Sequence, residues 1–158
     1  MKKLVLLFIA TIGAVSLSHA QVLTGVFNSG RDEESDAVTT MDMEFHACDY
    51  DPTLTCGTAL RSVLPNGETN EGVMLSPSEN FDPNNGQDFE MAGTVILRGL
   101  QYNGKRSGLM RWKGGLFYNP ATGDEFDGVF VHELENGNLA VGGCVLIFCQ
   151  ESTFTRID

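Results

Sequence analysis

Alternating apolar and polar residues are the main pattern of this chain, and they predict β-strands. In the segment MDMEFHA, Met41, Met43 and Phe45 share one face of the predicted strand, whereas Asp42 and Glu44 share the other. A period of two residues is typical of strands that are buried on one side. The same pattern predicts strands at residues 22–28, 57–63, 94–101, 108–113, 115–119, 125–134, 138–144 and 152–157.

The predicted strand at residues 125–134 has an aromatic face. Phe126, Phe130 and Leu134 fall on the same side of it, and we expect that side to face the core. His132 falls on this face as well. We expect it to be a core histidine with satisfied hydrogen bonds rather than a general base.

Asn-Gly pairs predict the connections between strands. They occur at residues 66–67, 103–104 and 136–137, and such pairs are typical of tight hairpin turns. About nine short strands joined in sequence order favour an antiparallel meander, and closing that sheet removes its exposed edges. The predicted fold is therefore all-β, a small antiparallel up-and-down barrel, with a two-sheet sandwich as the alternative. The polar segment Pro65–Met91 has no clear period, and we expect a functional lid or a mobile insertion.

The first 20 residues have the features of a secretory signal peptide, which we expect to be helical. Two lysines precede an apolar stretch at residues 4–15, and Ser18 and Ala20 are small residues at the positions that signal peptidase reads. Cleavage after Ala20 would leave a single domain of 138 residues, 21–158. The predicted location is periplasmic or secreted, and no second apolar run approaches the length of a transmembrane helix.

The charge of the chain excludes one class of partner. Without the signal peptide, eight of the ten basic and all 21 acidic side chains remain, a net charge of −13. Nucleic-acid binding depends on clustered Lys and Arg, so we predict no nucleic-acid partner. The acidic run at residues 32–36 is expected to be a solvated loop rather than a metal site.

The four cysteines form two close pairs in sequence. Cys48 and Cys56 are separated by seven residues, and Cys144 and Cys149 by four. Neither pair has the spacing of a structural zinc site, so we predict the disulfides Cys48–Cys56 and Cys144–Cys149. No cofactor or metal is expected.

The second cysteine pair encloses the apolar residues Val145, Leu146, Ile147 and Phe148. A straight strand would hold its cysteines roughly 16 Å apart, which is too far for a disulfide. A disulfide therefore requires the chain to reverse within these four residues, and an apolar hairpin tip at a barrel rim is a candidate portal for a ligand. The alternative is a straight buried strand whose cysteines have other partners.

Signatures of catalysis are missing from the sequence. There is no G-x-S-x-G, Walker A or H-E-x-x-H motif. We predict a non-enzymatic protein, and an unrecognised hydrolase that uses carboxylates or His132 is the remaining enzymatic alternative.

Two segments of the C-terminal half, WKGGLFYNPATGDEF and NLAVGGCVLIFCQESTFTR, resemble motifs of a bacterial exported family known as domain of unknown function 2147. The N-terminal LTGVF and the Cys48…Cys56-Gly57 unit look like the opening of that family. Phe27 and Phe154 replace expected tryptophans, Asn119 replaces an aspartate, and Ser152 replaces a glutamine. The residues that match the second-half motifs are Trp112, Gly114, Gly115, Tyr118, Pro120, Gly123, Cys144, Cys149 and Arg156.

The resemblance implies a lipocalin-like barrel without an established activity. In such barrels an aromatic residue on the first strand stacks with an arginine on the last strand, and Phe27 and Arg156 occupy these positions. We expect this cation–π pair to close the barrel floor and to contribute about 0.5–2 kcal/mol. Trp112 and Tyr118 are expected to be core residues rather than binding residues.

These observations together predict an exported barrel that binds a small apolar or amphipathic ligand. The alternative is a structural or surface module that interacts with other proteins and whose barrel is filled with side chains. Ligand identity and oligomeric state are not predicted.

Overall fold

The computed structural model describes residues 20–30, 40–63, 67–70, 92–119, 123–145 and 148–157. The predicted signal-peptide helix and most of the segment Pro65–Met91 lie outside these residues. Every regular element in the described ranges is a strand. The nine strands are β1 (Gly25–Ser29), β2 (Thr40–Cys48), β3 (Asp51–Val63), β4 (Thr69–Asn70), β5 (Val95–Arg106), β6 (Leu109–Tyr118), β7 (Glu125–Glu133), β8 (Leu139–Val145) and β9 (Phe148–Arg156).

Eight of these strands form a closed antiparallel barrel. Around the ring, each strand pairs with the next in sequence except that β3 pairs with β5, and pairing of β1 with β9 closes the barrel. Among the described strands, the short strand β4 pairs with the end of β3 alone and stands outside the ring. The prediction of an up-and-down barrel is therefore confirmed, and the sandwich alternative is wrong.

The two ends of the barrel differ in their connections. We call the end that carries the β2–β3, β5–β6 and β7–β8 turns the base, and the opposite end the mouth. Residues 20–24, which precede β1, also lie at the base. There the backbone amide of Leu23 donates to the Thr55 hydroxyl (3.0 Å), and the Trp112 indole nitrogen donates to the Gln21 carbonyl (2.7 Å). The start of the described chain is thus built into the base.

Large side chains fill the interior towards the base. Trp112 and Phe45 are fully buried there with Leu100 and Leu139. The rings of Phe27 and Phe45 meet edge to face with centroids 5.6 Å apart, an arrangement that aromatic pairs favour. This half of the barrel is a packed core rather than a channel.

The orientation of β7 differs from the prediction. Val129 and Val131 point inward and are buried, whereas Phe126 is 44 % exposed and Phe130 lies on the outer wall. A bulge explains the error, because Gly128 has a φ of +77° and the pairing with β6 is irregular next to it. The extra residues of a bulge change which side chains face the core.

Several strand boundaries also differ from the prediction, and β3 begins at Asp51 rather than at residue 57. The segments predicted as two strands at 108–113 and 115–119 form the single strand β6, whose register with β7 shifts around Gly115. Strand β9 begins at Phe148 rather than at residue 152. The first strand covers Gly25–Ser29 rather than 22–28.

Candidate functional site

The structure places both cysteine pairs at bonding distance. Cys48 and Cys56 join β2 to β3 near the base, with an S–S distance of 2.03 Å. Cys144 and Cys149 join β8 to β9 at the mouth, with an S–S distance of 2.05 Å. Such bonds are compatible with an extracellular or periplasmic location.

The two ends of the apolar segment between the second cysteine pair lie at the mouth. Cys144 pairs with Cys149 and Val145 with Phe148, so the chain reverses between β8 and β9 as the disulfide requires. Leu146 and Ile147 are outside the described residues, as are the side chains of Val145 and Phe148. Their role as a portal stays a prediction.

Phe27 and Arg156 are brought together at the base. They are register partners on β1 and β9, and the Arg156 guanidinium carbon lies 5.2 Å from the centre of the Phe27 ring. Phe27 is buried, whereas Arg156 is exposed. The geometry is that of a cation–π contact, and its contribution to barrel closure stays a prediction.

The residues of the first family motif, from Trp112 to Gly123, are spread along β6 and the connection after it. Trp112 is a base core residue, and the Tyr118 ring lies near the mouth, 4.8 Å from the Arg98 guanidinium carbon. Gly115 is needed for close packing, because a Cβ there would lie 2.9 Å from the Arg98 carbonyl oxygen and from Leu100. Gly114 and Gly123 are exposed, and Pro120 lies outside the described residues. The described members of the motif therefore shape the barrel and do not converge on one site.

Both histidines of the described chain lie away from the barrel interior. His46 contacts the Ala47 carbonyl through Nδ1 and the Thr58 hydroxyl through Nε2, each at 2.7 Å. His132 is on the outer wall, where its ring stacks on Phe130 with centroids 6.1 Å apart. Its Nδ1 has no hydrogen-bond partner among the described residues. The expectation of a satisfied core histidine at position 132 is therefore wrong, because the bulge in β7 reverses the face on which it lies.

A buried carboxylate on the outer wall, that of Asp42, is paired and hydrogen-bonded to neighbouring strands. The Asp42 side chain accepts hydrogen bonds from Asn28 Nδ2 (2.8 Å) and from Arg61 Nε (2.6 Å). A buried charge is tolerated when it is paired and hydrogen-bonded in this way. These contacts link β1, β2 and β3 from outside the barrel.

Another carboxylate is perturbed in the exposed turn at the base. Hydrogen bonds from the Thr53 hydroxyl and amide favour the charged form of Asp51 and lower its pKa. This turn is remote from the mouth. Among the described residues, no group of three or more His, Cys, Asp or Glu side chains is arranged to hold a metal ion.

The mouth half of the barrel contains a cavity of about 320 Å³. This volume lies at the lower end of the range found for small-molecule pockets, roughly 300–1,000 Å³. Inward side chains of β5, β6, β7, β8 and β9 form its apolar wall. They are Leu97, Phe117, Val129, Val141 and Phe154.

Gly143 explains part of the free volume. It lies on β8 between Val129 of β7 and Gln150 of β9, and a Cβ built on it would meet no atom within 4 Å. Since Gly143 shares the inward face with Val129 and Val141, a side chain at this position would extend into the cavity.

The rim of the cavity is mixed in character. Phe126 is exposed there and its ring centroid lies 6.2 Å from that of Phe117. Asp127, Gln150 and Ser152 provide the polar side chains that line the cavity. The cavity therefore combines an apolar interior with polar side chains at its rim.

Sequence reasoning did not identify the residues that line this cavity. The alternating pattern indicates which residues are apolar, but it predicted the wrong face of β7 as the inward one. The inward position of Gly143 depends on the register of the strand pairing. An indirect signal was the glycine pair at 142–143 within a strand, since a strand glycine often marks a close approach or a missing side chain.

Comparison with known proteins identifies a family. The sequence profile described as "Uncharacterized protein conserved in bacteria (DUF2147)" matches residues 37–156, which include every strand from β2 to β9. No similar protein was found among curated proteins, and none among solved structures. Within the described residues, no helix is long and apolar enough to cross a membrane. The match spans most of the chain, and the chain therefore belongs to this bacterial family.

Proposed function

We propose that this protein is exported and that its lipocalin-like barrel binds a small apolar or amphipathic molecule in the mouth half. The supporting observation is the uneven filling of the interior. Towards the base, Trp112 and Phe45 are fully buried in a packed core, whereas towards the mouth the apolar cavity of about 320 Å³ is open. A barrel whose only role was structural would gain stability from filling that space.

Two features support export. Disulfides persist in oxidising compartments and are rare in the cytosol, and this chain has two. In addition, the described base contacts include the carbonyl of Gln21, the residue after the predicted cleavage site. Cleavage after Ala20 would therefore leave the base contacts intact.

The entrance to the cavity is proposed to lie at the β8–β9 turn. Cys144 is among the cavity-lining residues, and the apolar segment Val145–Phe148 begins next to it. An apolar ligand that crosses this turn would contact the segment before it reaches Phe154.

A binding experiment with one added side chain tests the proposal. A neutral solvatochromic dye such as Nile red would be titrated into the mature wild type, Gly143→Leu and Thr153→Leu. The leucine at position 143 would occupy the cavity. Thr153→Leu is the control, because it places the same side chain at an exposed position of β9. We expect Gly143→Leu to weaken binding by about tenfold or more, because each methylene kept out of the cavity is worth about 0.8 kcal/mol.

The control variant should bind the dye as the wild type does. If the wild type binds no neutral apolar compound, the proposal is wrong and a protein-interaction module is the better interpretation. Equal binding by Gly143→Leu would show that the dye binds elsewhere.

A further inference from the structure

We infer that the ligand of the mouth cavity carries a positive charge beside its apolar part, as a protonated alkylamine does. This inference rests on the proposed function and specifies the ligand class. It starts from Asp127, which is the one charged residue among the described residues that line the cavity.

Asp127 is available to a ligand. It lies next to Gly128 in the β7 bulge and is exposed at the rim. The structure gives its carboxylate no hydrogen bond or ion pair with any described residue, unlike Glu125 two positions earlier. A carboxylate at the edge of an apolar wall attracts a cationic group and repels an anionic one.

Arg98, which follows the cavity-lining Leu97 on β5, is already engaged. Arg98 donates from Nη1 to Glu125 Oε1 (2.9 Å) and from Nε to the Val95 carbonyl (3.2 Å), and its guanidinium lies over the Tyr118 ring. Arg98 does not line the cavity. Among the described residues that line the cavity, an anionic head group would therefore meet Asp127 and no cation to neutralise it.

The polar partners at the rim fit the same head group. Besides Asp127, the cavity is lined by Gln150 and Ser152, whose side chains contain oxygen acceptors. An ammonium group has only donors and would be satisfied by these acceptors and by the carboxylate. The aliphatic part would then contact Leu97, Val129 and Phe154.

The net charge of the chain acts in the same direction. It contains 21 Asp and Glu residues against ten Lys and Arg, a net charge of −11. A field of this sign raises the local concentration of cations and lowers that of anions, and salt weakens it.

Three linear compounds of eight carbons each test the inference. Octylamine, octanol and octanoate would compete with Nile red for the mature protein at low and at high salt. The amine is protonated at neutral pH, as the lysine side chain is. We expect octylamine to compete best and octanoate worst, and we expect the difference to shrink as salt increases.

Two variants locate the charge effect. Asp127→Asn should weaken octylamine competition by roughly two- to fivefold, the range for an exposed ion pair, and should affect octanol less than octylamine. Asp49→Asn, which removes an exposed carboxylate at the base, should change neither compound.

The outcomes separate this inference from the proposed function. Binding of octanoate that equals or exceeds that of octylamine would contradict a positively charged ligand, and so would an unchanged preference for octylamine in Asp127→Asn. In either case, octanol competition would still support binding in the cavity. Failure of all three compounds and of the dye itself would overturn the proposed function.

Discussion

The indole nitrogen of Trp112 donates a hydrogen bond to the main-chain carbonyl of Gln21, 91 residues earlier in the chain. This contact fastens the segment before β1 across the base of the barrel. Trp112 is 1 % exposed, so its polar nitrogen needs a partner inside the protein. Gln21 is also the first residue of the mature chain if cleavage follows Ala20.

Replacing Trp112 by Phe should destabilise the mature protein by about 1–3 kcal/mol, because the bond is lost and the smaller ring leaves space in the base. Chemical denaturation of the wild type and the variant measures the change. In a chain that starts at Val22, which lacks the Gln21 carbonyl, the cost of Trp112→Phe should be smaller. An equal cost in both chains would show that the hydrogen bond contributes nothing.

The Phe27–Arg156 pair gives a second prediction. Arg156→Ala should lower the free energy of unfolding by about 1–3 kcal/mol, since the guanidinium packs on a buried ring. Arg106→Ala is a matched control, because Arg106 is exposed and has no ring or carboxylate partner among the described residues. A denaturation midpoint that Arg156→Ala leaves unchanged would identify Arg156 as an ordinary surface residue.

We expect the disulfides to stabilise the folded protein without being essential for folding. In the chain-entropy model, a disulfide that closes a loop of this length stabilises the protein by about 2–3 kcal/mol. Replacing either pair by serine should lower the melting temperature while far-ultraviolet circular dichroism keeps its β signal. Loss of that signal in the Cys144→Ser, Cys149→Ser variant alone would mean that the mouth hairpin organises the whole barrel.

The portal hypothesis makes a prediction about the β8–β9 turn. Changing Leu146, Ile147 and Phe148 to Ser should slow or weaken uptake of a neutral apolar dye and leave stability nearly intact. Stopped-flow fluorescence and denaturation of the same variant measure the two effects. If the triple change unfolds the protein, these residues belong to the core and the portal hypothesis is wrong.

The architecture of the barrel could be predicted from local sequence, but the position of turns and bulges could not always be. The Asn136-Gly137 pair forms the β7–β8 turn as predicted, with Gly137 at a φ of +83°. The Asn103-Gly104 prediction is wrong, since Gly104 lies within β5 at an irregularity and the hairpin turns at Ser107 and Gly108. Both sites need a positive φ, and pairing with β6 decides which becomes the turn.

The cavity could not be predicted for a related reason. Its walls come from five strands, and the free space depends on how their side chains face one another across the barrel. Gly143 is a small residue in sequence, but only its register opposite Val129 shows that it faces the interior. Local patterns identify inward positions and do not give the total volume that these side chains fill.

A nuclear magnetic resonance titration of the mature protein with octanol tests the central claim most directly. Ligand binding in the mouth half predicts saturable amide shifts that concentrate at Leu97, Val129 and Gly143, with little change at Trp112 or Leu139 in the base. The same titration of Gly143→Leu should show much smaller shifts. Absence of saturable shifts in the wild type, or shifts confined to the outer wall around Phe130 and His132, would contradict the account.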